Sequence, residues 1–111
     1  MKVFIIGTGL IGGSFALDIQ QEYPDAIIYG VDLNNSHIKE AIAHGVIHQE
    51  ASLDDVQDAE VVFITIPVDA TLSVLPKILD VVNDNALVID AGSTKQRICE
   101  AVKDHPKRRN F

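Results

Sequence analysis

Cysteine occurs once in these 111 residues, at position 99. A single thiol cannot close an internal disulfide, which fits a reducing compartment. No apolar run approaches the length of a membrane span. Met1-Lys2 runs straight into an apolar stretch that Gly7 interrupts, so no signal peptide is read there and a cytoplasmic protein is expected. Positive charge is scarce: nine Lys and Arg against sixteen Asp and Glu leave a net charge of −7, which argues against nucleic acid as a partner. The one basic run, Lys107-Arg108-Arg109, reads as a solvated patch. Proline is rare too, with four in the chain, and 47% hydrophobic residues exclude a disordered segment. The length allows one core and therefore one domain.

What is present is concentrated at the start. Lys2-Val-Phe-Ile-Ile6 reads as a buried parallel strand leading into Gly7-Thr-Gly9-Leu-Ile-Gly12, and an apolar face at helical spacing follows from Leu10 until Tyr23-Pro24-Asp25. A second strand, Ile27 to Val31, ends on Asp32. Such a strand, turn and helix can hold a dinucleotide. Gly7 permits the turn, Gly9 lets a pyrophosphate approach the backbone, Gly12 lets helix and strand pack, and the helix N-terminus presents free N–H groups to the diphosphate. Gly7, Thr8, Gly9, Leu10, Ile11 and Gly12 are accordingly candidate cofactor-binding residues. Asp32 stands where a carboxylate accepts hydrogen bonds from the adenosine ribose, and Leu33-Asn34-Asn35 after it offers no Arg for a 2′-phosphate. The expected cofactor is NAD.

Further along, Asn34-Asn35-Ser36 can cap a helix from about His37 to His44, and Val46-Ile47-His48 reads as a short third strand. Ser52-Leu-Asp-Asp55 has the form of a capping box with Asp in place of Glu. Glu60 to Ile66 reads as a fourth strand ended by Pro67. Asp69 can cap a helix from about Ala70 to Val82, which Pro76 should kink or split after Val74. Ala86 to Asp90 reads as a fifth strand, and Thr94 to Asp104 as a last helix with Ile98, Cys99 and Val102 on its inner face. The tail from His105 looks like a loop entering a sixth strand. The alternation predicts an α/β, Rossmann-type doubly wound parallel sheet of strand order 3-2-1-4-5 with a sixth strand begun, and ligands at the carboxyl ends of its strands.

Gly7-Thr-Gly-Leu-Ile-Gly-Gly-Ser14, Thr65-Ile66-Pro67-Val68 and Asp90-Ala-Gly-Ser-Thr-Lys95 together resemble the cofactor domain of prephenate dehydrogenases. The resemblance implies NAD-dependent oxidative decarboxylation of prephenate to 4-hydroxyphenylpyruvate, on the route to tyrosine. It also implies that residues 1–111 are the dinucleotide-binding domain, with the catalytic histidine and a helical domain for substrate and homodimer formation absent from this chain. An exposed apolar patch is then expected near the fifth strand and last helix. By the same resemblance Ser93 is the candidate catalytic residue, in contact with substrate or nicotinamide, its other reading being a helix cap. Thr65, Ile66, Pro67 and Val68 should line the ribose and nicotinamide side, their other reading being a strand ending at a proline. An arogenate or other hydroxyacid dehydrogenase, or a non-catalytic module sensing NAD, stays open.

His105-Pro106 precedes the place of the family's catalytic dipeptide and takes no catalytic role. His37, His44 and His48 are expected away from the crevice, and their spacing suggests no metal site. Lys95 reads as an exposed charge and Cys99 as a small apolar filler.

Overall fold

The computed structural model describes the backbone of residues 1–90 and 96–111, and their side chains except those of Leu10, Ile11, Gln96, Arg97 and Arg109. Strands β1 (Lys2–Ile6), β2 (Ile27–Val31), β3 (Gln49–Glu50), β4 (Val61–Ile64) and β5 (Leu87–Asp90) form one parallel sheet in the order β3-β2-β1-β4-β5. Helices α1 (Leu10–Glu22) and α2 (Asn35–Ala43) cover one face. Helices α3 (Val68–Val81) and α4 (Gln96–Val102), with the 3-10 helix Leu53–Asp58, cover the other.

Alternation along β1 sorts the two layers of core. Val3 and Ile5 pack with Ile28, Ile38 and Ile47 under α1 and α2, while Phe4 and Ile6 pack with Ile64, Leu75 and Leu79 under α3. Rings reinforce both layers: Phe15 of α1 stacks on Phe63 at 5.3 Å, and Phe4 stacks on Tyr29 at 4.7 Å.

The register decides where a ligand can bind. Ile6 pairs with Val31 on one side and Ile64 on the other, and Ile64 pairs with Asp90, so four strands end in one row. The described residues that follow the ends of β1, β2 and β4 share one rim of the sheet, at the reversal of strand order between β1 and β4.

Four local expectations are corrected. The third strand is Gln49–Glu50 and not residues 46–48. Val46 and Ile47 turn their N–H groups back to the Ala41 carbonyl at the end of α2. His48 donates its own N–H to the Ile28 carbonyl and accepts the Ile28 N–H on ring Nδ1, a side chain standing in for a strand carbonyl. Helix α3 starts at Val68 with no side-chain cap, Asp69 falls in its first turn, and it runs unbroken through Pro76. Burial of Thr71, Leu75, Ile78 and Leu79 on both sides of the proline opposes a break that costs about 3 kcal/mol in a free helix.

The tail is a 3-10 turn, Arg108–Asn110, and no sixth strand begins in the described residues. It is bonded to the body at three places. His105 Nε2 lies 2.6 Å from Asp80, Lys107 donates to the Val82 carbonyl, and the Asn110 amide donates to the carbonyls of Asn83, Asp84 and Ala86. Lys107 and Arg108 are half-buried and bonded within the fold, so these two are not the solvated patch expected; the side chain of Arg109 lies outside the described ones. The inner face of α4 is buried at Ile98 and Val102, and Cys99 is half-buried. Among the described residues, no large exposed apolar side chain lies on α4 or at the carboxyl end of β5, where a patch was expected.

Two adjacent glycines of α1 give a stability test. A methyl group at Gly12 would overlap the Gly7 carbonyl oxygen and come within 3.0 Å of Ile5, whereas one at Gly13 would meet only Val46, at 3.6 Å. Gly12→Ala should therefore cost about 1–3 kcal/mol or more by overpacking, and Gly13→Ala should gain about 0.5–1 kcal/mol from helix propensity. Urea unfolding of the two variants, with midpoints shifted in opposite directions, is the expected result.

Candidate functional site

The rim begins at the turn after β1. Gly7 has φ +96°, a left-handed conformation that strains any side chain, and its N–H donates to the Val31 carbonyl at 2.7 Å, tying the turn to the end of β2. Thr65, just past β4, holds the same turn from the other side. Its hydroxyl lies 2.6 Å from the Gly7 carbonyl oxygen and 3.0 Å from that of Ile6. The buried Thr71 hydroxyl in turn binds the Ile66 and Pro67 carbonyls, so the loop between β4 and α3 is fixed as well.

Helix α1 opens at Gly9 with no side-chain cap and no acidic residue in its first turn. Its first N–H groups and the positive end of its dipole therefore face the rim uncompensated. Gly9 has no positive φ, and a methyl there would touch nothing within 4 Å. The reasons that hold for Gly7 and Gly12 do not apply to it, and among the described residues only its N-cap position favours glycine. The space above it suits a group that must come close to backbone N–H donors, as a pyrophosphate does.

Asp32 lies on the same side of the sheet as this loop. Its Oδ2 accepts the Thr8 N–H at 2.9 Å and the Thr8 hydroxyl at 3.0 Å, with His37 Nδ1 at 3.3 Å, and its Oδ1 accepts the Asn34 N–H at 2.9 Å. Burial pushes the Asp32 carboxyl upward. That effect is outweighed by the Asn34 N–H, the Thr8 N–H and hydroxyl and the His37 ring, which hold it below the usual carboxylate range. Asp32 is thus a fixed anion at neutral pH. Asn34 caps α2 through its side chain, 2.9 Å from the Ser36 N–H, and so fixes the helix that carries His37.

Between α1 and α2 a cavity of about 420 Å³ opens beside Thr8 and Gly9, walled by Gly13, Ser14, His37 and His44 among others. The structure thus brings Thr8, Gly9 and Asp32 together and sets Thr65 against Gly7. Ile66 and Val68 are half-buried against the core, and Pro67 is exposed. Leu10 and Ile11 form the first turn of α1. Ser93 and Lys95 lie outside the described residues.

One expectation about the histidines is overturned: His37 touches Asp32 and, like His44, lines the cavity, whereas both were placed away from the crevice. The available signal was position, five residues after Asp32 and one turn into a helix starting at the rim. His48 and His105 serve the strand ladder and the tail. Among the described residues no three His, Cys, Asp or Glu side chains are grouped to hold a metal, and no helix is long and apolar enough to cross a membrane.

Comparison with known proteins bears on this geometry. Residues 15–111 match the family described as prephenate dehydrogenase, nucleotide-binding domain, a match that starts just past the glycine loop. The chain is 35% identical over 101 residues to a prephenate dehydrogenase of Bacillus subtilis (strain 168), covering 88% of this chain and 27% of that one. It is 37% identical over 101 residues to the prephenate dehydrogenase of Lactococcus lactis subsp. cremoris (strain MG1363), covering 89% and 28%. It therefore spans about a quarter of the length of these curated relatives. Among solved structures it resembles prephenate dehydrogenase from A. aeolicus in complex with hydroxyphenyl propionate and NAD+, with TM-score 0.85 and 29% identity over 94% of this chain and 37% of that one. Synechocystis arogenate dehydrogenase gives TM-score 0.82 and 28% identity, over 93% and 37%. By the extent of the family match and by these identities, the chain belongs to the prephenate dehydrogenase nucleotide-binding domain family.

Proposed function

We propose that this chain is the NAD-binding domain of an enzyme that oxidatively decarboxylates prephenate to 4-hydroxyphenylpyruvate, a step toward tyrosine. The observation that carries the reading is the pair of bonds from Thr8 to Asp32, which join the turn after β1 to the tip of β2. A dinucleotide lying across that joint has its diphosphate over Gly9 and the first turn of α1, where Leu10 and Ile11 contribute backbone N–H groups, and its adenosine ribose on Asp32. NAD supplies the hydride acceptor when bound. The residues of this chain bind and orient it. Gly7 and Gly12 keep the turn closed, Thr65 fixes the turn's carbonyls, and Ile66, Pro67 and Val68 border the ribose and nicotinamide side.

In the reaction, hydride leaves the ring carbon that bears the hydroxyl for the nicotinamide, the bond from the ring to its carboxylate breaks to release carbon dioxide, and the electron pair of that bond makes the ring aromatic, the oxygen ending as the phenol hydroxyl of the product. Ser93, three residues after Asp90 in the sequence, is assigned to contact with substrate or nicotinamide on the family resemblance. The share of the relatives' length spanned here supports placing the substrate pocket and homodimer contacts in the rest of such an enzyme. A cytoplasmic site of action follows from the same reading. An arogenate dehydrogenase is the second reading, favoured by the likeness to the Synechocystis enzyme.

Three outcomes test the proposal. Gly9→Ala should cost at most about 1 kcal/mol in unfolding free energy, the difference between the two residues at an N-cap, yet weaken NAD binding at least about tenfold in calorimetric titration. Asp32→Ala should weaken NAD binding by about 10- to 100-fold, the loss of charge-assisted hydrogen bonds, while affecting NADP less. A preference between the two cofactors that stays unchanged in this variant would refute the ribose contact. Finally, the chain alone should bind NAD without measurable turnover of prephenate in a spectrophotometric assay, and steady NADH formation would place the whole active site within these residues.

A further inference from the structure

One oxygen of the Asp32 carboxylate, Oδ2, is already fully engaged. An ionised carboxylate has about four lone-pair sites, two on each oxygen, and four donor groups converge on this one. Three of the four are on Oδ2: the Thr8 N–H, the Thr8 hydroxyl and the His37 ring. A ribose diol docking on Asp32 needs two acceptor sites, of which only one on Oδ1 is open, so one present donor has to yield. The Thr8 contacts belong to the turn itself at 2.9 and 3.0 Å, whereas the His37 contact is the longest, at 3.3 Å, on a ring whose side chain is 48% exposed. His37 occupies the place of a ribose hydroxyl.

Its charge state then bears on both cofactors. A neutral ring can swing away and leave Oδ2 to the ribose. A protonated ring forms a charge-assisted pair with Asp32, competes with the diol, and puts a cation where a 2′-phosphate would otherwise meet only the carboxylate. Both effects have the same sign: they weaken NAD relative to NADP. We infer that His37 is a second determinant of cofactor choice, and that protonation of its ring lowers the preference of this chain for NAD over NADP. This inference rests on the proposed role of Asp32 in ribose binding.

Several ionisable groups share the surroundings of His37. On its own helix Glu40 and His44 face the same cavity, the turn contributes Thr8 and Gly9, and α1 contributes only the uncharged Gly13, Ser14 and Leu17. Asp32 is held ionised well below neutrality and does not change charge in this range. His44 shares the cavity wall but makes no contact with Asp32 among the bonds of the carboxylate described above.

The test is calorimetric titration of the chain with NAD and with NADP at about pH 8 and about pH 5.5, for the wild type, His37→Gln and His37→Arg. The ratio of dissociation constants, NADP over NAD, should fall with pH in the wild type by about three- to tenfold more than in His37→Gln, in keeping with a partly exposed ion pair. The 2′-phosphate itself gains a proton near pH 6, and that contribution is common to both proteins and cancels in the comparison. His37→Arg, with a permanent charge, should show the lowered ratio already at the higher pH. Equal pH slopes in the wild type and His37→Gln would overturn the inference while leaving NAD binding in place, as would a His37→Arg ratio equal to that of the wild type at the higher pH. Failure of the wild type to bind NAD at either pH would remove the proposed function, and this inference with it.

Discussion

One oxygen of Asp32, bonded twice to Thr8, sets the geometry of the whole rim. Without it, among the bonds described, the turn after β1 would keep its Gly7 tie to Val31 and its Thr65 tie to β4, while Thr8 would lose both of its bonds to the tip of β2. With it, a carboxylate and the opening of a helix are separated by a single residue's span. That coupling has a cost for the carboxylate, which loses water and regains stability only through its donors. A group so held is a preorganised acceptor: its orientation is settled before a ligand arrives, so little conformational entropy remains to be lost on binding.

The three glycines of the loop are alike in sequence and unlike in cause. Gly7 answers to backbone conformation, Gly12 to the packing of α1 against β1, and Gly9 to neither. The first two would be needed in an empty fold. On the proposed reading the third answers to an occupant close to the backbone, and that is what would separate a binding loop from a tight strand-to-helix turn.

Much of this was legible from residue order because the determinants are local. Alternating apolar strands and amphipathic helices permit few topologies, and the strand order followed from them. Asp32 was legible because strand length and turn geometry set its distance from the glycines. What was missed depended on side chains reaching across the fold. His48 pairs with Ile28 through its ring, so Val46-Ile47-His48 looked like a strand that in fact starts three residues later, at Gln49. Asn110 binds three carbonyls that lie more than twenty residues earlier, so a tail that looked like an entering strand closes into a turn. His37 was misplaced for a different reason: its contact with Asp32 is local, five residues on in the first turn of α2, a helix expected to lie wholly away from the rim.

The charge of the chain makes the remaining point. A protein with net charge −7 has little long-range attraction for an anionic cofactor, and none of the residues walling the cavity is Lys or Arg. What the rim offers an anion is the N-terminus of α1, a partial charge whose influence fades within about one helical turn. An anion held by dipoles must therefore sit almost against the backbone, closer than a side chain at position 9 would allow. On the proposed reading the acidity of the protein, the uncapped helix and the bare Gly9 belong together: among the described residues, close approach takes the place of opposite charge.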